Sequence, residues 1–163
     1  MKPAFLILCT GNSARSILAE AILRHIGRDR LDVYSAGSKP SGEVNPRAIA
    51  LLKEKGISTE GLSSKSWDAF TSVDGPKLTA AITVCDNAAG ETCPTFFGAP
   101  VKAHWGVPDP PMVTGGEAEI RRAFEMAFNT LYARCAALLA LPFETMSPGG
   151  LKQALAQIGE EVG

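Results

Sequence analysis

An eight-residue stretch near the amino terminus combines a thiol, small residues and an arginine. It runs from Cys9 to Ser16, and five residues separate its Cys from its Arg. A thiolate is a nucleophile, and a guanidinium is a planar donor suited to a tetrahedral oxyanion. Gly11 and Asn12 tolerate the backbone angles of a tight loop. We therefore predict an oxyanion site beside a reactive Cys9, with Ser16 donating a hydrogen bond to the thiolate.

The segments on either side of this stretch would give it its geometry. Residues 4–8 form a short apolar run, typical of a strand buried on both faces. After the stretch, apolar residues recur at helical spacing until Gly27. A loop between a strand and a helix N-terminus directs backbone N–H groups and the helix dipole at an anion. The residues expected to bind the oxyanion are Thr10, Gly11, Asn12, Ser13, Ala14 and Arg15.

Strand and helix patterns alternate along the rest of the chain. Further strands are predicted at residues 31–35, 80–85 and 101–107. Helices are predicted after Asn45-Pro46, after Thr114 in a capping box with Glu117, and after Ser147-Pro148. This alternation is typical of an α/β fold with a mostly parallel sheet and helices on both sides. We expect one domain over residues 1–163, whose last ~20 residues add a C-terminal helix.

A second thiol is predicted to lie near the first. Cys9 and Cys85 each stand at the carboxyl end of a predicted strand. These ends meet at one edge of a parallel sheet, where ligands bind. We therefore expect the two residues to be neighbours although they are far apart in sequence. Cys135 falls on the apolar face of a predicted helix and is expected to be a buried core thiol.

Composition narrows the class of protein. The chain has 163 residues, 45% of them hydrophobic and 20% charged, with a net charge of −1. These values exclude a disordered or collagen-like chain and give no strong attraction to nucleic acid or anionic membranes. Four scattered cysteines do not suit a disulfide-stapled secreted domain. We expect a cytoplasmic protein with reduced thiols and with neither a nucleic-acid nor a membrane partner.

The stretch from Cys9 to Glu20 resembles the phosphate-binding loop of the low-molecular-weight protein tyrosine phosphatase superfamily, most closely its arsenate reductase branch. Two further segments carry the resemblance. They are Val84-Cys85-Asp86-Asn87, followed by Cys93-Pro94, and His104-Trp105-Gly106-Val107-Pro108-Asp109-Pro110. The resemblance covers the chain from residue 4 to about residue 140. It implies a three-layer α/β/α sandwich with a four-stranded parallel sheet, in agreement with the alternation of strands and helices.

The resemblance also implies a reaction. Cys9 would attack arsenate, Cys85 would attack the Cys9 sulfur and release arsenite, and Cys93 would then take over the disulfide from Cys9. Asp109, in an Asp-Pro pair, would donate a proton to the departing oxygen. The reductant would be thioredoxin, or glutathione with glutaredoxin. Seven residues, 86–92, separate Cys85 from Cys93. Thioredoxin-coupled members resemble one another in having six, so the donor and the role of Cys93 stay open.

Two other functions remain open from the sequence. A phosphatase acting on phosphotyrosine or small phosphomonoesters would use the same loop and the same Asp109. Such phosphatases resemble one another in having aromatic residues after the Asp-Pro pair, where this chain has Pro111-Met112-Val113-Thr114. A non-catalytic, redox- or oxyanion-responsive binding module is the second alternative, with a reversible disulfide between Cys9 and Cys85.

The implied chemistry requires no metal or organic cofactor. Some related reductases hold a potassium ion through Asn, Glu, Ser and Asp, and Asn12, Glu20 and Ser35 resemble the first three. Around the fourth, this chain has Lys65 within Ser63-Ser64-Lys65-Ser66. We expect its ammonium to supply the positive charge, which makes a monovalent cation site doubtful. A zinc site formed by Cys85, Cys93 and His104 is disfavoured because their spacing matches no common zinc module.

Overall fold

Four parallel strands form one sheet with its most apolar strand in the interior. The computed structural model describes residues 2–85, 96–98, 100–108 and 115–162. The strands are β1 (Ala4–Leu8), β2 (Asp32–Ala36), β3 (Ala80–Thr83) and β4 (Val101–His104), and their order is β2-β1-β3-β4. Every residue of β1 is apolar and buried, as expected for a strand with neighbours on both edges. The four-stranded parallel sheet is thereby confirmed.

Three of the four α-helices in the described residues cover one face of this sheet. The helices are α1 (Arg15–Gly27), α2 (Pro46–Glu54), α3 (Glu117–Leu139) and α4 (Pro148–Glu161). Helices α1, α3 and α4 pack on the face that carries Phe5 and Ile7, and α2 joins them at the side. Buried Leu and Ile side chains dominate this core. Burial of each stabilises the fold by roughly 1.5–3 kcal/mol relative to exposure.

A smaller apolar cluster covers the other face. Leu6 and Leu8 of β1 contact Phe70, Leu78 and Phe96 there. Within the described part of the chain, the helical element of this layer is the short 3-10 helix Trp67–Phe70. Both faces of β1 are therefore shielded from water, which explains why its sequence is continuously apolar rather than alternating.

Two helix starts lie where the sequence predicts them, and a third does not. The Asn45 side chain accepts a hydrogen bond from the Arg47 N–H at 2.8 Å, and Ser147 accepts one from the Gly150 N–H at 3.1 Å. The predicted capping box of Thr114 and Glu117 is wrong. Helix α3 follows Gly116, whose N–H donates to the Glu119 carboxylate at 3.0 Å. Glu119 stands three residues after Gly116, so this bond is the carboxylate half of a capping box, and glycine has no side chain to supply the other half.

Strands β3 and β4 are shorter than predicted, and end at Thr83 and His104. Individual backbone hydrogen bonds continue the pairing beyond the strand ends. The Val84 N–H donates to the Leu8 carbonyl at 2.9 Å, and the Val107 N–H donates to the Val84 carbonyl at 3.0 Å. Residues 105–108 after β4, here called the strap, thereby lie alongside the segment that ends at Cys85.

Among the helices of the described residues, none is long and apolar enough to cross a membrane.

Candidate active site

The loop between β1 and α1 is fixed by hydrogen bonds to its outward-facing carbonyl groups. Three of its carbonyl oxygens accept backbone hydrogen bonds from the segment that follows β2. The C=O and N–H of a trans peptide unit point in opposite directions, so carbonyls fixed outward leave N–H groups facing inward. This is the geometry of an anion cradle. The bonds are Lys39 N–H to Thr10 at 3.0 Å, Ser41 N–H to Gly11 at 3.0 Å and Asn45 N–H to Ser13 at 2.9 Å.

Gly37 allows this close approach. A Cβ atom at residue 37 would lie 2.3 Å from the Thr10 carbonyl oxygen and 2.7 Å from the Cys9 carbonyl oxygen. Any side chain would therefore displace the loop. The Ser64 hydroxyl adds a bond to the Gly11 carbonyl at 3.1 Å. Gly37 directly follows β2 (Asp32–Ala36), and no role in the loop was predicted for it from the sequence.

Asn12 supports the loop from inside the protein. Its backbone has φ of 45°, in the left-handed region, and its side chain is fully buried. The side-chain Nδ2 donates to Ser16 Oγ at 2.8 Å and to Ser35 Oγ at 3.0 Å, and Oδ1 accepts from the Lys65 N–H at 2.8 Å. Neighbouring groups occupy the polar atoms of this side chain, so the predicted contribution of Asn12 to oxyanion binding would come from its backbone. Its backbone N–H remains a candidate oxyanion donor.

A buried charged cluster lies beneath Asn12. Ser35 Oγ donates to Glu20 Oε1 at 2.5 Å, and Arg24 Nη2 pairs with Glu20 Oε2 at 2.5 Å. The Lys65 ammonium donates to the Ser35 carbonyl at 2.9 Å and the Ser63 carbonyl at 2.8 Å. Burial raises the pKa of Glu20, against the opposing effects of Ser35, Arg24 and Lys65. Burial lowers the pKa of Lys65, and the Glu20 charge opposes this shift. Lys65 thus brings its positive charge to the group compared above with a potassium site.

Cys9 and Cys85 are neighbours, as the parallel topology predicts. Leu8 pairs with Thr83 in the sheet, so the residues after both strands emerge at the same edge. The two thiols hydrogen-bond to each other, and both residues are buried. The Thr10 N–H donates to Cys85 Sγ at 3.3 Å, and Thr10 Oγ1 lies 3.6 Å from the same sulfur.

The Cys9 thiol experiences opposing influences. Its hydrogen bond with the Cys85 thiol and its burial raise the pKa of Cys9, whereas the Arg15 charge and the Gly11 N–H lower it. The net direction is upward while both thiols are reduced, because the thiolate loses water and faces a second sulfur. The sequence predicts a thiolate stabilised at neutral pH by the loop donors. The structure adds Cys85 as an influence in the opposite direction.

Arg15 joins the loop to the strap. Its Nη1 donates to the Val107 carbonyl at 2.9 Å. The Val107 N–H in turn donates to the Val84 carbonyl, next to Cys85. The guanidinium at the first residue of α1 is therefore braced by the segment that leads towards Asp109.

The remaining predicted residues divide into two groups. Cys93 and Asp109 lie outside the described residues, and their roles stay predictions. Cys135 is completely buried in the core, and burial raises its pKa to about 12, as expected for an unreactive structural thiol. Within residues 2–85, 96–98, 100–108 and 115–162, no three His, Cys, Asp or Glu side chains come together in a group that could hold a metal ion.

Known proteins share both the sequence pattern and the fold. The profile of the low molecular weight phosphotyrosine protein phosphatase family matches residues 4–147. An arsenate reductase of Halalkalibacterium halodurans is 36% identical over 118 residues, which cover 72% of this chain and 81% of that protein. An arsenate reductase of Shouchella clausii is 33% identical over 135 residues, which cover 82% of this chain and 92% of that protein.

A solved structure described as an arsenate reductase in the phosphate binding state superposes with a TM-score of 0.66 at 26% identity. The superposition covers 86% of this chain and 98% of that one. The predicted α/β/α architecture is thus shared with a protein whose name records an oxyanion-binding state. Sequence profile, relatives and superposition agree, and the chain belongs to the low molecular weight phosphotyrosine protein phosphatase family.

Proposed function

We propose that this protein is an arsenate reductase that converts arsenate to arsenite with its own thiols. The observation that carries the proposal is the proximity of the Cys9 and Cys85 thiols beside the oxyanion loop, where the N–H of Thr10, the residue after Cys9, donates to Cys85 Sγ at 3.3 Å. Phosphoryl transfer needs one nucleophilic sulfur, whereas reduction of arsenic needs two electrons, which a pair of thiols supplies on forming a disulfide. The names of the relatives from Halalkalibacterium halodurans and Shouchella clausii support the same activity.

In the first step, the inward N–H groups of the loop and Arg15 bind arsenate. The Cys9 thiolate attacks arsenic, a sulfur–arsenic bond forms, and one oxygen leaves as water after protonation. Asp109 is the proposed proton donor. Arg15 contributes charge and paired donors where negative charge accumulates. Arsenic stays pentavalent in this adduct.

In the second step, the Cys85 thiolate attacks Cys9 Sγ. The sulfur–arsenic bond breaks, its electron pair goes to arsenic, and arsenite leaves. Two thiols have then been oxidised to a Cys9–Cys85 disulfide while arsenic has gained two electrons. The position of both residues at the same edge of the sheet supports this step, because thiol exchange requires close approach of the attacking sulfur. The Thr10 N–H at 3.3 Å from Cys85 Sγ supports it further, because it can stabilise the attacking thiolate.

In the third step, Cys93 attacks Cys85 and returns Cys9 to the thiol form. An external dithiol then reduces the Cys85–Cys93 disulfide. Thioredoxin and glutathione with glutaredoxin are the two candidate donors. The thiols provide all the electrons, so the proposed cycle needs no resident metal or organic cofactor.

We also propose that Lys65 takes the place of a bound cation beneath the loop. Its ammonium donates to two carbonyls next to the buried Glu20–Ser35 pair. A fixed cation there balances the Glu20 carboxylate and anchors the segment that bonds to Asn12. The Asn12 side chain then holds the loop without an ion.

The testing experiment compares arsenite production by wild type, Cys85→Ser and Cys135→Ala. Thioredoxin with its reductase and glutathione with glutaredoxin are supplied in separate reactions, and free thiols are counted afterwards. We expect wild type and the core control Cys135→Ala to turn over with one of the donors. Cys85→Ser, which cannot form the first disulfide, should release no arsenite after adduct formation unless an external thiol attacks Cys9.

Three outcomes would contradict the proposal. If no variant makes arsenite while wild type and Cys85→Ser hydrolyse a phosphomonoester equally well, the protein is a phosphatase, a reaction that the Cys9–Arg15 loop also supports. If wild type binds arsenate stoichiometrically and makes no arsenite with either donor, it is a binding module. Sustained turnover by Cys85→Ser equal to wild type would eliminate Cys85 from the cycle.

A further inference from the structure

A second arginine, far from Arg15 in sequence, holds the other side of the strap. Arg134 lies on α3 and is only 7% exposed. Its Nη1 donates to the Gly106 carbonyl at 3.0 Å, its Nε to the Val162 carbonyl at 2.8 Å and its Nη2 to the Gly159 carbonyl at 3.3 Å. One guanidinium thus connects three parts of the chain: α3, the end of α4 and the strap.

Helix α4 also contacts the strap directly. The Trp105 indole Nε1 donates to the Leu155 carbonyl at 2.9 Å, and Trp105 is completely buried. A Cβ atom at Gly159 would lie 2.4 Å from the His104 carbonyl oxygen and 2.9 Å from Trp105 Cδ1. Because the helix backbone approaches this closely, the strap has little room to shift towards α4.

Burying the Arg134 guanidinium has a desolvation cost. Burial lowers the pKa of Arg134, so desolvation disfavours its charged form. The carboxyl end of α4 offsets part of this cost, because helix C-terminal carbonyls attract a cation. Arg30 caps α3 in a similar way, donating to the carbonyls of Leu139 at 2.6 Å and Leu141 at 3.1 Å, but it does so at the exposed surface. The bond to Gly106 distinguishes the two arginines, since it reaches towards the candidate site.

Gly106 and Val107 are consecutive residues, and their carbonyls accept from different arginines. Arg134 donates to Gly106, and Arg15 donates to Val107. The Val107 N–H is also fixed, by the Val84 carbonyl at 3.0 Å. Because these bonds hold the Gly106–Val107 segment in place, the Val107 carbonyl has a fixed direction. It therefore fixes Nη1 of the Arg15 guanidinium. The guanidinium's other donors are then oriented before an anion arrives, which lowers the cost of ordering them on binding.

We propose that Arg134 is a positioning residue for oxyanion binding, acting on Arg15 through the Gly106–Val107 segment with α4 as its support. This inference rests on the proposed function, because it assumes that Arg15 contacts the oxyanion. Arg134 itself touches neither the anion nor the reacting sulfurs. It holds the strap in place, and the carboxyl end of α4 thereby contributes to the affinity of a loop at the opposite end of the sequence.

The test uses inorganic phosphate as the probe, titrated calorimetrically into the full-length reduced protein. The variants are Arg134→Met, Arg134→Lys and Gly159→Ala, and Arg30→Met is the matched control, since it removes another arginine that caps a helix. All titrations are made well below each variant's unfolding temperature. We expect Arg134→Met to weaken phosphate binding by about tenfold, the effect of losing alignment in one charge-assisted hydrogen bond. Arg134→Lys should recover part of the affinity.

Gly159→Ala changes no charge but pushes α4 against the strap, so we expect it to weaken phosphate binding too. Arg30→Met should lose thermal stability yet bind phosphate within about twofold of wild type, since its helix end does not contact the strap. If Arg134→Met does not fold, Gly159→Ala and Arg134→Lys provide the same comparison. Wild-type affinity in the folded Arg134 and Gly159 variants would overturn the inference alone. Failure of wild type itself to bind phosphate would overturn the proposed oxyanion site and this inference with it.

Discussion

The backbone N–H of Thr10 points at the sulfur of Cys85, with 3.3 Å between the nitrogen and Sγ, and the Thr10 hydroxyl oxygen lies 3.6 Å from the same sulfur. Thr10, the residue after the proposed nucleophile Cys9, therefore contacts the second thiol, Cys85. In the proposed cycle this contact links two steps, because one loop binds the oxyanion and stabilises the thiolate that later resolves the adduct.

Replacing Thr10 with Val should slow arsenite release without preventing adduct formation. The substitution keeps the N–H and the branched shape but removes a hydroxyl that can donate to the Cys85 thiolate. Loss of one such bond costs about 1 kcal/mol, or roughly fivefold in rate. Single-turnover arsenite release, measured by rapid quench, reports this step. Thr10→Ser is the matched variant, and equal release rates for Thr10→Val and Thr10→Ser would show that the hydroxyl is not used.

Removing the Cys85 thiol should lower the pKa of Cys9. The hydrogen bond with Cys85 is the largest influence that raises this pKa, so in Cys85→Ala the Cys9 thiolate should form at lower pH. Alkylation of Cys9 by iodoacetamide, followed by peptide mass spectrometry, gives a rate that rises with pH as the thiolate forms. The midpoint should shift downward in Cys85→Ala and upward in Arg15→Met, since the Arg15 charge lowers the pKa. Shifts in the same direction for both variants would contradict this account.

Activity should be insensitive to potassium if Lys65 supplies the cation beneath the loop. The wild-type arsenate KM should be the same in potassium and sodium chloride at equal ionic strength. Lys65→Met leaves Glu20 without this neighbouring charge and removes two hydrogen bonds, so we expect a higher KM and a lower unfolding temperature. Lys53→Met removes a lysine exposed on α2 and serves as the control. Strong activation of wild type by potassium would contradict the proposal.

Gly37→Ala should damage the loop although it adds only one carbon. The new Cβ would meet the Thr10 carbonyl oxygen at 2.3 Å, and neither backbone can move far without losing hydrogen bonds. We expect a loss of stability of about 1–3 kcal/mol and weaker phosphate binding. Gly149→Ala is the matched control, because nothing lies within 4 Å of its Cβ position and alanine favours the helix. Chemical denaturation and phosphate titration measure both effects, and equal stability of the two variants would refute the steric argument.

The sequence was sufficient for the features that depend on short-range patterns. The apolar run 4–8, the Cys9–Ser16 stretch and the Asn45-Pro46 and Ser147-Pro148 starts lie where local spacing and capping chemistry indicate. Even the meeting of Cys9 and Cys85 could be predicted, because parallel strands end at one edge of a sheet. The roles of Cys93 and Asp109 also come from sequence, as predictions from resemblance.

Tertiary structure decided which polar groups remain for the substrate. Asn12 matches the predicted loop, yet Ser16, Ser35 and Lys65 occupy its side chain. Arg134 lies within an amphipathic helix and gives no local sign that it reaches Gly106. Such contacts join residues distant in sequence through directed hydrogen bonds, which have no periodicity along the chain. The physical reason is that each buried donor must find an acceptor in the folded interior, and only the packing of the elements determines which acceptor is within reach.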